Sequence, residues 1–271
     1  MRLAILADVH GNLPAFEAAL DHVGRQRVDQ IVLAGDIVNG APDSLACWKI
    51  ASELDCPILW GNHERYLTHY GTSKADPIWE TDLFLPLHWT VRQVSQGDRE
   101  RMEKLPLAVR IPQAPDLVIC HASTRKDNDS IHSYTPDIEL KEMFKGNRES
   151  FIVRAHNHIG KERIWGDRTI ITCGSVGLPL DGHPTAQYLL LEGDGKGWHI
   201  QHQSVPYNLE AALRRFSETG YLEETGPIGR LFRREVATAS HQLVPFLRFY
   251  ERWAGDGAVS LYDAVDRFLS M

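Results

Sequence analysis

Five short apolar runs, each ending on a side chain able to hold a metal ion, constrain this chain more than any other feature. Leu3-Ala4-Ile5-Leu6-Ala7 leads into Asp8-Val9-His10, and Ile31-Val32-Leu33-Ala34-Gly35 leads into Asp36. Pro57-Ile58-Leu59-Trp60-Gly61 leads into Asn62-His63-Glu64, Leu117-Val118-Ile119-Cys120 into His121, and Phe151-Ile152-Val153-Arg154-Ala155 into His156-Asn157-His158. A short, nearly continuous apolar run is the pattern of a buried parallel strand. In an open parallel sheet the ligand site lies beyond the carboxyl ends of the strands. That arrangement gathers Asp8, Asp36, Asn62, His10, His63, His121, His156 and His158 at one sheet edge.

The turns between the runs read as helices. Asn12 is placed to cap a helix over 13–23, with Pro14 in its first turn. A second helix is expected after the Gly40-Ala41-Pro42-Asp43-Ser44 turn, up to Leu54. The forty residues after Asn62 read as helical, rich in Trp79, Phe84, Leu87, Trp89 and Val91, with a further short helix over 98–104. A strand is expected over 107–111 and a helix over 134–144, opened by Thr135-Pro136-Asp137. Strands follow at 169–172, 186–191 and 198–205, the last two joined by the hairpin signal Glu192-Gly193-Asp194-Gly195-Lys196-Gly197. From Asn208 the pattern is helical, with breaks at Gly220, Thr225-Gly226-Pro227 and Gly255-Asp256-Gly257. The reading is one α/β unit over 1–210 carrying a helical C-terminal extension over 211–271.

Composition narrows the function. At 43% apolar and 24% charged, the 271 residues are those of an ordinary globular protein with a sizeable core. A net charge of −7 gives no basic footprint for avid nucleic-acid binding. Cys47, Cys56, Cys120 and Cys173 form no Cys-x-x-Cys pair, which argues against a zinc ribbon and fits a reducing cytoplasm. The N-terminus opens into a strand pattern, so no leader sequence is expected there, and no stretch is long enough for a membrane span.

The clustered residue types suit two divalent cations. Asp8 and His10, two apart on an extended segment, share a face and can share an ion. A carboxylate such as Asp36 can bridge two ions, and Asn62 offers a neutral oxygen. Oxygen and nitrogen donors without thiolate suit Mn, Fe, Co, Ni or Zn, of which Mn is favoured. Two dications set against Asp8, Asp36 and a bridging hydroxide leave roughly one net positive charge, which attracts a phosphate. His63 needs no metal; it is placed to protonate a leaving alkoxide or to steady a phosphoryl oxygen, with Glu64 as the acceptor that orients its ring.

The series Asp8-Val9-His10, Gly35-Asp36, Gly61-Asn62-His63-Glu64, His121 and His156-Asn157-His158 resembles the motif series of the calcineurin-like metallophosphoesterases, in order and in spacing. Ala7-Asp8-Val9-His10-Gly11-Asn12, Cys173-Gly174-Ser175-Val176-Gly177-Leu178-Pro179 and Asp181-Gly182 resemble the bacterial branch of YfcE-type and diadenosine tetraphosphatase-like phosphoesterases. The likeness covers about residues 1 to 210. It implies a two-sheet β-sandwich flanked by helices in four αββα layers. It also implies one ion held by Asp8, His10, Asp36 and His158, a second held by Asp36, Asn62, His121 and His156, and a metal-bridging hydroxide as nucleophile. Arg125 stands where the family tends to have an arginine, and the resemblance implies a phosphate contact there. Three positions depart from the family: Glu64 replaces its usual Asp, Ala155-His156-Asn157-His158 its Gly-His-Thr-His, and Thr172-Cys173-Gly174-Ser175 its Asn-Pro-Gly-Ser. No ligand position is lost.

The expected activity is hydrolysis of a small phosphate ester or nucleotide by a dinuclear centre. A dinucleoside polyphosphate hydrolase, a nuclease and a non-catalytic scaffold of the same fold are the alternatives. Gly174-Ser175-Val176-Gly177 reads as a tight turn rather than a phosphate cradle. The Trp79–Trp89 stripe reads as core or dimer face rather than a nucleobase platform. Leu243, Phe246, Leu247, Phe249, Tyr250 and Trp253 read as an apolar face packed on the main unit, with a homo-oligomer contact as the alternative.

Overall fold

In the computed structural model, which describes residues 1–195, 197–255 and 259–271, the apolar runs are shared between two sheets. Strands β1 (Arg2–Leu6), β2 (Gln30–Leu33), β8 (Ala186–Gly193) and β9 (Trp198–Val205) form the first, in the order β2-β1-β8-β9. Strands β3 (Ala108–Arg110), β4 (Leu117–Cys120), β5 (Phe151–Arg154), β7 (Arg168–Thr172) and β6 (Lys161–Trp165) form the second, in the order β3-β4-β5-β7-β6. β1 and β2 are parallel, as are β4, β5 and β7, while the remaining pairings are antiparallel. The expectation of one sheet edge is therefore corrected: the ligand-bearing ends come from two facing sheets.

Alternation explains why the runs are apolar throughout. Leu3 and Ile5 of β1, Leu117 and Ile119 of β4, and Leu189 and Leu191 of β8 fill the layer between the sheets. Their neighbours Ala4, Leu6, Tyr188 and Leu190 face outward onto α1 (Leu13–Gly24) and α2 (Ser44–Glu53). Val118 and Cys120 face α6 (Asp137–Met143) across the other sheet. Each such strand is covered on both faces, which is the condition for an unbroken apolar run. The result is the four-layer αββα sandwich.

The run at Pro57 makes no strand. Leu59 donates to the Leu33 carbonyl (2.8 Å) and Leu33 to that of Pro57 (2.9 Å), one parallel bridge, before Trp60 turns away to the Pro106 carbonyl. The forty helical residues resolve into α3 (Asn62–His69), two 3-10 turns, α4 (Leu85–Gln93) and α5 (Gln96–Met102). Trp79, Leu87 and Trp89 are buried there, so the aromatic stripe is core. Strand β6 went unexpected because its alternation of exposed and half-buried residues carries little apolar signal. The helix expected from Tyr134 starts only at Asp137.

Helices α7 (Leu209–Glu218), α8 (Tyr221–Thr238), α9 (Leu243–Gly255) and α10 (Leu261–Leu269) share one core, into which Ala41, Trp89 and Leu178 also project. Phe246 is fully buried in it. The break expected at Thr225-Gly226-Pro227 is a kink within α8, where Gly226 leaves helical geometry at φ 56°. Lys196 of the hairpin turn, and Asp256 and Gly257 of the last expected break, lie outside the described residues. Among the described residues no helix is long and apolar enough to cross a membrane.

Candidate metal centre

The loops leaving β1 and β2 run side by side: Asp8 N donates to the Gly35 carbonyl (3.1 Å), His10 N to Asp36 (3.0 Å) and Gly11 N to Ile37 (3.0 Å). The second sheet closes on them. His156 N donates to Asp8 Oδ2 (3.1 Å), and His121 Nδ1 contacts the Ala34 carbonyl (2.8 Å). Behind Asp8, the turn after β7 braces the strand end, with Ser175 Oγ donating to the Asp8 carbonyl (2.8 Å) and Gly177 N to the same carbonyl (3.0 Å). A Cβ on Gly177 would lie 1.8 Å from the Val9 carbonyl oxygen, so this approach requires glycine. The Gly174–Gly177 stretch is thus a backbone brace, as its turn composition implies.

Asp8, His10, Asp36, Asn39, His156 and His158 all have positive φ, between 50° and 69°. For residues with a Cβ this left-handed region costs about 1–3 kcal/mol each, and such strain gathers where function demands it.

The donor atoms converge. Asp8, His10 and His158 form one triad, His10, Asp36 and His63 another, and Asp36, His121 and His156 a third, each with its ligand atoms within 4.8 Å of one another. Asp36 Oδ2 lies 3.3 Å from His121 Nε2, 3.8 Å from His10 Nε2 and 4.0 Å from His63 Nε2. His158 Nε2 is 3.7 Å from Asp8 Oδ1. His10, His121 and His158 each set Nδ1 against a backbone carbonyl, of Asn39 (2.8 Å), Ala34 (2.8 Å) and Leu178 (2.7 Å) respectively. A carbonyl accepts only, so in the neutral ring the proton sits on Nδ1 and the Nε2 lone pair points inward.

These lone pairs test whether cations fit. His10 Nε2 and His158 Nε2 face each other at 3.1 Å. The Asn62 side-chain oxygen lies 2.9 Å from His156 Nδ1, 3.2 Å from His121 Nε2 and 3.3 Å from both Asp36 Oδ2 and the Asp127 carbonyl. Asp8 Oδ1 is buried with no hydrogen-bond partner. Rotating the Asn62 amide would present N–H groups to its neighbours, but would leave the His10–His158 contact and Asp8 Oδ1 unexplained. Cations between the acceptors account for all three, and the N/O donor set suits divalent transition metals. The residues present fit such ions.

Without metal the buried charges reshape one another. Burial, opposed by the His121 imidazole and reinforced by the Asp36 charge, pushes Asp8 up to about 8. Burial also works to raise Asp36, but His121, His63 and His10 outweigh it and hold Asp36 well below the carboxylate range. Burial would depress His121, yet the charges of Asp36 and Asp8 and the Asp36 contact raise it to about 9. Burial first, then the neighbouring imidazoles, lowers His10 and His158 to about 3, and burial, opposed by the Asp36 charge, lowers His63 to about 4. Metal ligands bind deprotonated, so at pH 7 Asp8 and His121 must shed protons to take up ions. Metal uptake at pH 7 is expected to release protons from the coupled Asp8 and His121 pair and to tighten as pH rises. Calorimetry in buffers of different ionisation enthalpy measures this; heats independent of buffer would contradict it.

Two sequence expectations need restating. Glu64 does not touch the His63 ring. Its carboxylate is fully buried and accepts from Asp36 N (2.8 Å), Ile37 N (2.8 Å) and Gly61 N (3.0 Å), because the first turn of α3 turns it back onto the Asp36 loop. Burial, then the Asp36 charge, pushes it up to about 7. The ring of His63 is instead met by Asn39, whose Nδ2 lies 2.9 Å from His63 Nδ1. An amide N–H only donates, so His63 accepts there and carries its proton on Nε2. Asn39 was hidden in sequence because nothing marks its reach to residue 63; its one signal is an Asn three residues beyond Asp36. Arg125 lies on an exposed loop with its guanidinium on Asp129 (Nε 2.7 Å, Nη2 3.1 Å).

Arg154 was likewise missed. Its guanidinium is fully buried, and burial lowers it to about 10, so it stays charged at neutral pH. It donates to the carbonyls of Ala122 (2.7 Å) and Asp129 (2.7 Å) and to Asn157 Oδ1. It thereby ties the His121 loop to the His156–His158 loop from beneath.

A family profile described as calcineurin-like phosphoesterase matches residues 1–160. The protein MJ0912 of Methanocaldococcus jannaschii is 25% identical over 251 residues, covering 85% of this chain and 97% of its own. The symmetrical bis(5'-nucleosyl)-tetraphosphatase of Chromohalobacter salexigens is 30% identical over 124 residues, 43% of each chain. Among solved structures, a metallophosphoesterase from Sphaerobacter thermophilus superimposes with TM-score 0.67 at 24% identity, over 88% of this chain and 99% of its own. The chain belongs to the calcineurin-like phosphoesterase family and is a metal-dependent phosphoesterase.

Proposed function

We propose that this protein hydrolyses a small phosphate ester, a phosphodiester or nucleotide, with two divalent ions of which Mn is the favoured kind. Asp8, His10, Asp36 and His158 would hold one ion, and Asp36, Asn62, His121 and His156 the other. The observation that carries the reading is the convergence of inward lone pairs described above, centred on Asp36. When bound, the ions supply Lewis acidity that polarises phosphoryl oxygens and acidifies water.

The side chains divide the remaining work. His63 sits at the mouth, its side chain 18% exposed, beside the buried Asp36. With its proton on Nε2 it donates to a phosphoryl or leaving-group oxygen as negative charge builds there. Asn39 holds the ring in that tautomer. Glu64 fixes the peptide that carries Asp36, and Arg154 ties together the two loops that carry His121, His156 and His158. For Arg125 to bind substrate, a phosphate oxygen would replace the Asp129 carboxylate as its partner, an exchange suited to a forked guanidinium.

His63→Ala is expected to lower kcat on p-nitrophenyl phosphate or bis-p-nitrophenyl phosphate by about 10²–10³-fold. It should leave both ions bound, since Nε2 of His63 is not needed by either ligand set. Loss of metal in this variant, measured by elemental analysis, would make His63 a ligand instead. A second reading, hydrolysis of dinucleoside polyphosphates, draws on the likeness to the Chromohalobacter tetraphosphatase. Diadenosine tetraphosphate assayed beside cyclic nucleotides and monoesters separates the two.

A further inference from the structure

We infer that the C-terminal helices are a clasp for one half of the metal centre, the half containing His10 and His158, and that Tyr221 is its positioning residue. The inference rests on the two-ion reading above and goes beyond it, to residues outside the segment matched by the family profile.

The loop of residues 39–43 carries the first argument. Its Asn39 carbonyl faces His10 Nδ1 (2.8 Å), and Ala41 N donates to the His10 carbonyl (2.6 Å). Gly40 packs so closely that an added Cβ would lie 3.0 Å from His10 Cβ. The ring position of His10 is therefore set by this loop. The loop has no regular structure of its own, and helices take up its polar groups. Tyr221 Oη, fully buried, donates to the Gly40 carbonyl. Trp89 Nε1 donates to the Pro42 carbonyl (3.1 Å), and its ring meets Tyr221 edge-on at 5.5 Å. Arg215 of α7 grips the buried Asp43 carboxylate through Nε (3.0 Å) and Nη2 (2.5 Å).

The far end of α8 carries the second. Ala239, just past the helix, accepts from Gly182 N (2.8 Å). Gly182 closes the loop that begins at Leu178, whose side chain is buried in the C-terminal core and whose carbonyl faces His158 Nδ1 (2.7 Å). In the same loop Leu180 N donates to the His158 carbonyl (3.4 Å). One helix thus links the 39–43 loop that faces His10 to the 178–182 loop that faces His158, and those two rings meet at Nε2 to Nε2, 3.1 Å apart. Among the described residues, the hydrogen bonds and ion pairs that leave 208–271 reach Gly40, Asp43, Arg92, Gly182 and the adjoining Tyr207, none of which bonds Asn62, His121 or His156. The clasp is one-sided, so its loss has a one-sided signature.

Full-length Tyr221→Phe tests it, because the ring keeps its packing against Trp89 and Phe216 while the donor to Gly40 is lost. Mn²⁺ titration by calorimetry, elemental analysis, and the absorption spectrum of the Co²⁺-loaded protein are the readouts. Wild-type protein is expected to take up two ions. Tyr221→Phe should keep one at unchanged affinity and bind the other about 10-fold more weakly, the lower end of the cost of removing a group bonded to a ligand, because Tyr221 acts through Gly40 rather than on His10 itself. Arg215→Gln, on a partly exposed side chain, should show the same selective loss to a smaller degree. Tyr250→Phe in α9 should keep both ions. Two ions at wild-type affinity in both Tyr221→Phe and Arg215→Gln would overturn the clasp alone, as would equal weakening of both ions. Wild-type protein that binds no metal would overturn the two-ion reading and the clasp with it.

Discussion

Asp36→Ala is expected to abolish turnover and, on the two-ion reading, to leave the protein unable to hold both ions. The reason is position. Asp36 Oδ2 lies 3.8 Å from His10 Nε2 on one side and 3.3 Å from His121 Nε2 on the other, so one oxygen is within reach of both proposed ligand sets. Its second oxygen accepts from His63 N (2.8 Å), which also places the residue at the mouth. The fall in kcat/KM should reach about three orders of magnitude, equivalent to about 4 kcal/mol of transition-state stabilisation. Asp36 sits at φ 55°, a conformation alanine tolerates poorly, so Asp36→Asn is the better companion: asparagine accepts that backbone and keeps the side chain's shape while removing the charge and one acceptor oxygen. Both variants should fold, lose at least one ion by elemental analysis, and show no metal-dependent hydrolysis of p-nitrophenyl phosphate. His121→Ala, which serves one half only, should keep the ion held by Asp8, His10 and His158. A variant Asp36→Asn that retained two ions and a tenth of wild-type activity would end the bridging role.

What was legible in sequence follows from where information resides. Asp8, Asp36, His121 and the His156–His158 pair stand directly after apolar runs, and a strand end is a place that periodicity finds without tertiary knowledge. Pro57–Gly61 shows the limit: it is apolar and ends on Asn62, yet it forms a single bridge because the chain turns from Leu33 to Pro106 after Leu59. That two sheets rather than one supply the site depends on β1 pairing with β2 and β8 while β4 pairs with β3 and β5, a choice of partners that periodicity does not encode. The groups that orient the centre were hidden for a related reason. Asn39, Arg154 and Tyr221 act through contacts to residues 63, 122 and 40, and nothing local marks a side chain for a partner so distant in the chain. Glu64 was visible but misread, since adjacency to His63 in sequence suggested contact, while a residue at the third position of a helix faces back toward the turn that precedes it.

Glu64→Ala is expected to be the most destabilising single change near the centre. The carboxylate is fully buried and accepts from three backbone N–H groups, those of Asp36, Ile37 and Gly61. Each buried donor left without an acceptor costs about 1–3 kcal/mol, and no side chain replaces the lost carboxylate. Relief of the carboxylate's own burial offsets part of that, leaving an expected loss of about 4 kcal/mol in urea unfolding of the metal-free protein. Glu64→Gln should fall between, since its one oxygen serves part of the set and its amide N–H groups face the remaining donors. The same staple holds the Asp36 peptide at positive φ, so metal affinity should fall with stability in both variants and in the same order. Unfolding curves of Glu64→Ala and wild type that differ by less than about 1 kcal/mol would show that the strained Asp36 turn holds itself, and that the carboxylate is incidental to it.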